Sequence, residues 1–311
     1  MNKKILVTGG SGFIGSAITK YLVRCGHAVT VFDNNSRGKL SRLESIKNQI
    51  KFYKGDIRNS KSLNIIPGNF DVVVHLAYIN GTKYFYNKPF EILDIAVNGF
   101  LNVLNFSKKR KVKHFYLASS SEVYQNPIKY PTDEKEMLKI PDIHNPRYSY
   151  GGGKIFSELF GIHYAKKFFK KFIIFRPHNV YGKDMGNEHV IPEFINRFKK
   201  IGNKKKFLIY GTGKEVRSFI YIDDFIAGFD KIFKKGKSFE IYNIGTSEKV
   251  KISYLANLIA KIFNKKVKLY KTKLLKGSPN KRCPDIKKIK KLGFKQKISL
   301  TQGLNKIILN D

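Results

Sequence analysis

The chain has 311 residues, 42% of them hydrophobic, enough for one large or two modest domains, and no run approaches a membrane span of roughly 18 apolar residues. Its formal net charge of +37 comes from lysine clusters spread along the whole chain, a solvated basic surface that draws in anionic small molecules and argues against nucleic acid as the partner. Two cysteines, Cys25 and Cys283, make neither a disulfide framework nor a metal spacing, so a reduced chain without a metal site is expected.

"KILVT" is a short buried strand that starts too early to leave room for a signal peptide, and a cytoplasmic location is expected. "FIGSAITKYLVRCG" reads as a helix ending at Gly26, "AVTVFD" as a strand, "LSRLESIKN" as a helix and "IKFYKGD" as a strand. "DVVVHLA" is a further strand, "FEILDIAVNGFLNVLNFSKK" one long helix and "VKHFYLASS" a strand. A helix from about Tyr150 to Phe169 leads into "KFIIFRP", and the low polarity of "VVVHLA" and "FIIF" marks strands covered on both faces. The alternation predicts a Rossmann-type doubly wound parallel α/β sheet. After about residue 176 the pattern loosens, although "RSFIYI" and "EIYNIG" still read as strands and "ISYLANLIAKIF" as an amphipathic helix. The expected organisation is a nucleotide-binding domain over 1–176 and a smaller α/β substrate domain over 177–311, with 218–240 returning to the first.

"ILVTGGSGFIGSAITKYL" spaces Gly9, Gly12 and Gly15 as G-x-x-G-x-x-G between the first strand and the first helix. Glycines there let the backbone approach a pyrophosphate, whose charge sits at the helix N-terminus. Asp33 ends the second strand, 18 residues past Gly15, where a carboxylate accepts hydrogen bonds from ribose hydroxyls and repels a 2′-phosphate. NAD is therefore expected over NADP, with Arg37 nearby as the one counter-indication. Asp56 in "KGDI" either meets the adenine edge or caps the segment that follows.

"YSYGGGK" places Tyr150 and Lys154 four apart, on one face of a helix. The fifth strand ends "ASSSEVY", which brings Ser119, Ser120, Ser121 and Glu122 to a carboxyl end, the edge of an open parallel sheet where ligands bind. A free phenol ionises near pH 10. Positive charge from Lys154 is expected to favour the phenolate of Tyr150, which takes a proton from a substrate hydroxyl oriented by Ser120. Gly151, Gly152 and Gly153 cost helix propensity, about 1 kcal/mol each, and are expected either to leave space for cofactor and substrate or to allow close packing on a neighbouring helix. His75 reads as a structural histidine in a buried strand; His178 and His189 are candidates for substrate contact.

With "TGGSGFIG", "DNNSRG", "GDI", "HLA", "SSSEVY", "YSYGGGK", "FRPHNVYG", "RSFIYIDD" and "KRCPDI" in this order, the chain resembles the extended short-chain dehydrogenase/reductases, the NAD-dependent nucleotide-sugar epimerase/dehydratase family, essentially from end to end. The resemblance implies a catalytic set of Ser120, Tyr150 and Lys154, with Glu122 in the adjoining acid/base position. It implies a cofactor site of Gly9, Gly12, Phe13, Ile14, Gly15, Asp33, Asn34, Asn35, Asp56, Ile57, Leu76, Ala77, Asn98 and Ser119, together with Tyr150 and Lys154. Ser121, Asn179, Arg217 and Arg282 match positions that hold the diphosphate and sugar of a nucleotide-diphosphate sugar, and a homodimer is implied.

Members of this family begin by making a 4-ketone and then diverge. Ser121–Glu122 stands where 4,6-dehydratases carry Asp–Glu, while simple 4-epimerases usually lack the Glu. The Ser–Glu pair, Arg147 in "PRYSY" and Arg282 in "KRCPDI" are similar to UDP-glucuronate decarboxylases; a 4-dehydrogenase that releases the keto sugar is the other alternative. Gln125, Tyr78, Gly151 and Gly152 depart from the decarboxylase pattern and imply an altered sugar pocket. A non-enzymatic NAD-binding regulator of this fold would lack Tyr150 or Lys154, and both are present.

Overall fold

The structure, a computed structural model, describes residues 2–202, 206–273 and 277–309. β1 (Lys4–Thr8) runs into the glycine turn and α1 (Phe13–Arg24), followed by β2 (Ala28–Asp33), a 3-10 helix over Leu40–Gln49 and β3 (Ile50–Lys54). A short α2 (Ser60–Asn64) leads to β4 (Val72–His75); α3 (Thr82–Asn87), α4 (Pro89–Asp94) and α5 (Phe100–Lys109) precede β5 (His114–Ala118). The long α6 (Tyr148–Phe168) feeds β6 (Lys171–Pro177). Then come β7 (Val180–Tyr181), α7 (Val190–Lys199), β8 (Lys206–Ile209), β9 (Val216–Arg217), β10 (Ile220–Tyr221) and α8 (Ile222–Lys235). β11 (Glu240–Ile244), β12 (Val250–Lys251), α9 (Ile252–Ile262), β13 (Lys268–Lys271), β14 (Lys281–Arg282), α10 (Lys287–Lys290) and α11 (Leu300–Ile308) follow.

Seven strands form the central sheet in the order β11-β6-β5-β4-β1-β2-β3, each pairing parallel to its neighbours. This is the doubly wound sheet that the alternation of elements predicts. Strand order reverses between β1 and β4, so the crevice beyond their carboxyl ends is the natural ligand site. Alternate residues of β1 serve opposite faces: Ile5 and Val7 pack with Phe225 and Phe229 of α8, while Leu6 packs with Phe100 and Phe172. That two-sided burial is why these strands read as unbroken apolar runs.

Past β6 the chain crosses between two bodies. α8 packs on α1, and β11 joins the sheet edge beside β6, so the return to the first body runs past residue 240 and takes in Ile286, Ile289 and Phe294 as well. The smaller unit has its own core, in which Phe194 and Phe198 of α7 meet Phe207, Leu255, Ile259 and Leu304. Among the described residues no helix is long and apolar enough to cross a membrane.

Three elements differ from their sequence reading. The segment 40–49 is a 3-10 helix that buries Leu43 and Ile46, three residues and so one tighter turn apart. The expected helix over 90–109 is interrupted by a π turn at Ile95–Gly99, where Gly99 lies so close to Ile57 that a Cβ would meet its Cδ1 at 2.8 Å. "RSFIYI" is not one strand but two-residue β9 and β10 followed directly by α8; β9 pairs with β12 and β14 while β10 pairs with β7, and between them the Ser218 hydroxyl donates to Thr246 O at 2.6 Å.

Candidate active site

A cleft of about 570 Å³ runs along the carboxyl ends of the sheet from the glycine turn to Tyr150 and Glu122. At one end Gly9 has φ +75°, and a Cβ there would lie 2.5 Å from Ala77 N. A Cβ on Gly15 would lie 2.0 Å from Gly9 O, so only glycines let β1, α1 and β4 close up this tightly. Gly12 caps α1 without a side chain, which leaves the first-turn N–H groups facing the cleft, beside Phe13 and Ile14. Asp33 is buried, its two carboxylate oxygens accepting from Ser11 N at 2.9 Å and Asn35 N at 2.8 Å. Asn34 donates to Asp56 at 3.0 Å, and Arg58 holds the same carboxylate at 2.7 Å, so Asp56 faces the cleft already paired. Ile57, Leu76 and Ala77 complete this wall.

Two expected cofactor residues turn elsewhere. Asn35, at φ 58°, accepts from the Ser11 hydroxyl at 2.8 Å and braces the turn with its side chain. Asn98 lies on the exposed side of the π turn and donates to Asp94 at 2.7 Å; Ile95 lines the cleft in its place. Ser119 lines the cleft, but its hydroxyl bonds Glu158, whose carboxylate also pairs with buried Arg176 at 2.8 Å.

At the other end Ser120, Tyr150 and Lys154 come together, all buried. Burial raises the Tyr150 pKa, a hydrogen bond from Ser120 lowers it, and burial wins. Lys154 donates to Ala118 O at 2.8 Å and is itself lowered to about 7 by burial. Its ammonium lies 3.8 Å from the Tyr78 ring centre and 5.9 Å from that of Tyr150, so the cation rests on Tyr78. The expected lowering of the phenol by Lys154 is therefore not the dominant effect here. Phe85 stacks on Tyr150 at 4.8 Å and fixes its plane.

Glu122 is gripped by Arg282 through both oxygens, at 2.6 and 2.9 Å, with Arg147 at 3.6 Å. Burial works to raise its pKa, but the charges of Arg282 and Arg147 outweigh burial and lower it to about 2. Arg282 thus lines the cleft as the partner of Glu122, and its buried Nε has no hydrogen-bond partner. Arg217 donates to the carbonyls of Val216 at 3.0 Å and Pro279 at 2.8 Å; burial lowers it to about 10, and it acts on Glu122 by charge. Ser121 and Asn179 line the cleft, and Asn179 is anchored to Ser218 O at 2.8 Å.

The glycines of α6 do not hold space open for ligands. A Cβ on Gly151 would lie 2.3 Å from Gln125 Nε2, one on Gly153 would lie 2.2 Å from the Tyr78 hydroxyl and 2.8 Å from Ala96 Cβ, and one on Gly152 would meet Ile140 at 3.1 Å. Bulk missing from the helix is supplied by Gln125 and Tyr78, two of the four departures noted in the sequence, and close packing supplies the rest. His75 is structural, bonded to Thr8 at 2.7 Å and stacked on Phe100. His178 is fully buried against Asn243 at 3.0 Å and does not line the cleft, whereas His189 does. Among the described residues no group of three His, Cys, Asp or Glu could hold a metal ion, and Cys25 and Cys283 are free thiols.

A family model described as "NAD dependent epimerase/dehydratase family" matches residues 5–245. The chain belongs to that family. As a member it is an NAD-dependent enzyme of nucleotide-sugar chemistry. It is 32% identical to a UDP-N-acetyl-alpha-D-glucosaminuronate decarboxylase of Bacillus cytotoxicus, over 99% of this chain and 97% of that one. It is 34% identical to a dTDP-D-glucose 4,6-dehydratase of Dictyostelium discoideum over 78% of this chain, which spans 58% of that protein's length. Among solved structures, a UDP-glucose 4-epimerase of Thermotoga maritima superposes with a TM-score of 0.87 at 29% identity, covering 98% and 97% of the two chains.

NAD fits the residues present, because the glycine cradle a Cβ would fill, the bare N-terminus of α1 and the carboxylate of Asp33 share one cleft with Tyr150. Sequence reasoning missed Tyr84, Phe85 and Glu188, which also line this cleft. Nothing in their spacing marks them, since α3 and the 182–189 loop meet only through the fold.

Proposed function

We propose that this family member oxidises the C4 hydroxyl of a nucleotide-diphosphate sugar to a ketone. The observation that carries the reading is the convergence of Ser120, Tyr150 and Lys154 in one cleft with the glycine turn. Held there by Gly9–Gly15 and Asp33, NAD supplies a hydride acceptor whose positively charged ring favours the phenolate. Tyr150 takes the hydroxyl proton, Ser120 orients the same hydroxyl, and Lys154, while charged, works against burial at the phenol. Asn179 is assigned to the diphosphate side, and Arg217 to the sugar end beside Glu122.

A second reading concerns the fate of the ketone. Glu122 is surrounded by Arg282, Arg147 and Arg217, so the sugar end carries more positive charge than its own carboxylate balances. An excess of guanidinium suits a sugar that brings a carboxylate, and a 4-ketone makes a β-carboxylate a leaving group as carbon dioxide. Full-length similarity to a uronate decarboxylase supports the same choice. The test is incubation with neutral and uronate nucleotide sugars, with products identified by mass and NMR. Loss of carbon dioxide from a uronate supports this reading. Turnover of neutral hexoses alone, with C4 inverted, overturns it in favour of epimerisation.

A further inference from the structure

Past Asp33, the loop after β2 sends Arg37 across the cleft to Glu188 on the opposite wall, at 2.9 Å. The Arg37 guanidinium also lies 4.5 Å from the Tyr84 ring centre, and the Tyr84 hydroxyl reaches Glu188 Oε1 at 3.4 Å. Three chain segments that are remote in sequence therefore meet at one point over the cofactor cleft. Two glycines shape the meeting. A Cβ on Gly186 would lie 2.7 Å from Glu188 Oε2 and 3.1 Å from Arg37 Nη2, and Gly81, at φ +128°, is pressed between Tyr84 and Glu188 Cβ. Beside them Arg42 donates to Arg37 O at 3.2 Å and to Asp184 O at 2.7 Å, tying the same two loops through their backbones.

We propose that Arg37, Tyr84 and Glu188 form a clasp that closes the cleft over NAD and retains the cofactor between turnovers. This rests on the cofactor assignment above and adds residues that set how long NAD stays. Side-chain exposures of 24% for Arg37 and 23% for Glu188 put the pair at the rim, sheltered enough to hold yet within reach of solvent ions. The bond to Arg37 also keeps the Glu188 carboxyl below its usual range, so the pair stays charged near neutrality. A cofactor that must return its hydride to the same sugar benefits from slow release, and a clasp supplies this without touching the reacting atoms.

The test follows NADH fluorescence as bound NADH is displaced by excess NAD, in wild type, Arg37→Gln, Glu188→Gln and the double variant, with thermal melting as the fold control. Each single variant should release NADH about fivefold to tenfold faster, and the double variant no faster than the quicker single. Added salt should speed release from wild type and leave Glu188→Gln unchanged. Singles within about twofold of wild type, or effects that simply multiply in the double variant, overturn the clasp while the cofactor assignment stands. A wild-type chain that binds no NADH overturns both.

Discussion

At Glu122 burial and charge pull in opposite directions, and charge wins because three guanidinium groups surround one carboxylate. Both oxygens of Glu122 are engaged by Arg282, and we propose on that ground that Tyr150 rather than Glu122 removes the C4 hydroxyl proton and that Glu122 acts only once a ketone exists. Tyr150→Phe should therefore slow NADH formation by about 10²–10⁴. Glu122→Gln should still reduce NAD in a single turnover and then stall with a 4-keto sugar if carbon dioxide is to be lost. NADH absorbance with product mass in parallel reads both, and a Glu122→Gln protein that forms no NADH contradicts this division of labour. The glycine run of α6 yields a second expectation. Helix propensity alone makes Gly153→Ala stabilising by about 1 kcal/mol. Contact with the Tyr78 hydroxyl should instead make it destabilising by about 1–3 kcal/mol in urea titrations, with more than half recovered by adding Tyr78→Phe.

Between α6 and the sheet, one buried network links elements that would otherwise rely on apolar contact alone. Glu158 of α6 receives the Ser119 hydroxyl from the end of β5 and pairs with Arg176 of β6, which in turn donates to Tyr124 at 2.7 Å. Glu158 stands one turn after Lys154, so the helix presents both toward the same strand ends. Glu158→Gln leaves the Arg176 charge buried without a counter-charge and should cost about 3–5 kcal/mol in urea titrations. A loss under about 1 kcal/mol would mean that water or a moved side chain replaces the carboxylate.

For the whole molecule, acid is the weak direction. Burial lowers both His75 and His178 from 6.5 to about 3, so they are neutral when folded and protonate once unfolded. Between about pH 6.5 and 3 the unfolded chain binds more protons, and stability falls as pH falls through that window. Glu122, depressed from 4.5 to about 2, adds a further loss as pH drops below about 4.5. Melting temperature against pH should decline from about 6.5 downward, and His75→Gln should flatten that slope; an unchanged slope would clear His75 of the effect. The outer surface of α4 and α6 argues for assembly, since Phe90 is 79% exposed and Leu159 62% exposed, with Leu93 and Val97 beside them. Two copies related by a two-fold axis would bury this face. Light scattering at micromolar concentration should give a dimer and Leu159→Lys a monomer; a monomeric wild type ends the proposal.

Period and spacing along the chain determined the parallel sheet, the glycine turn, the carboxylate after β2 and the Tyr150–Lys154 pair. Each is a local pattern, written within one element or one turn, and burial on both faces leaves it no freedom. Contacts between segments far apart in sequence belong to the tertiary structure alone. Only the fold brings Arg282 onto Glu122, 160 residues away, and Arg37 onto Glu188. It also decides that the glycines of α6 yield to Gln125 and Tyr78, that Asn98 faces outward from a π turn, and that β11 rejoins the sheet. A side chain's type is local information, but its partner depends on how two walls of a cleft close, and no periodicity encodes that distance.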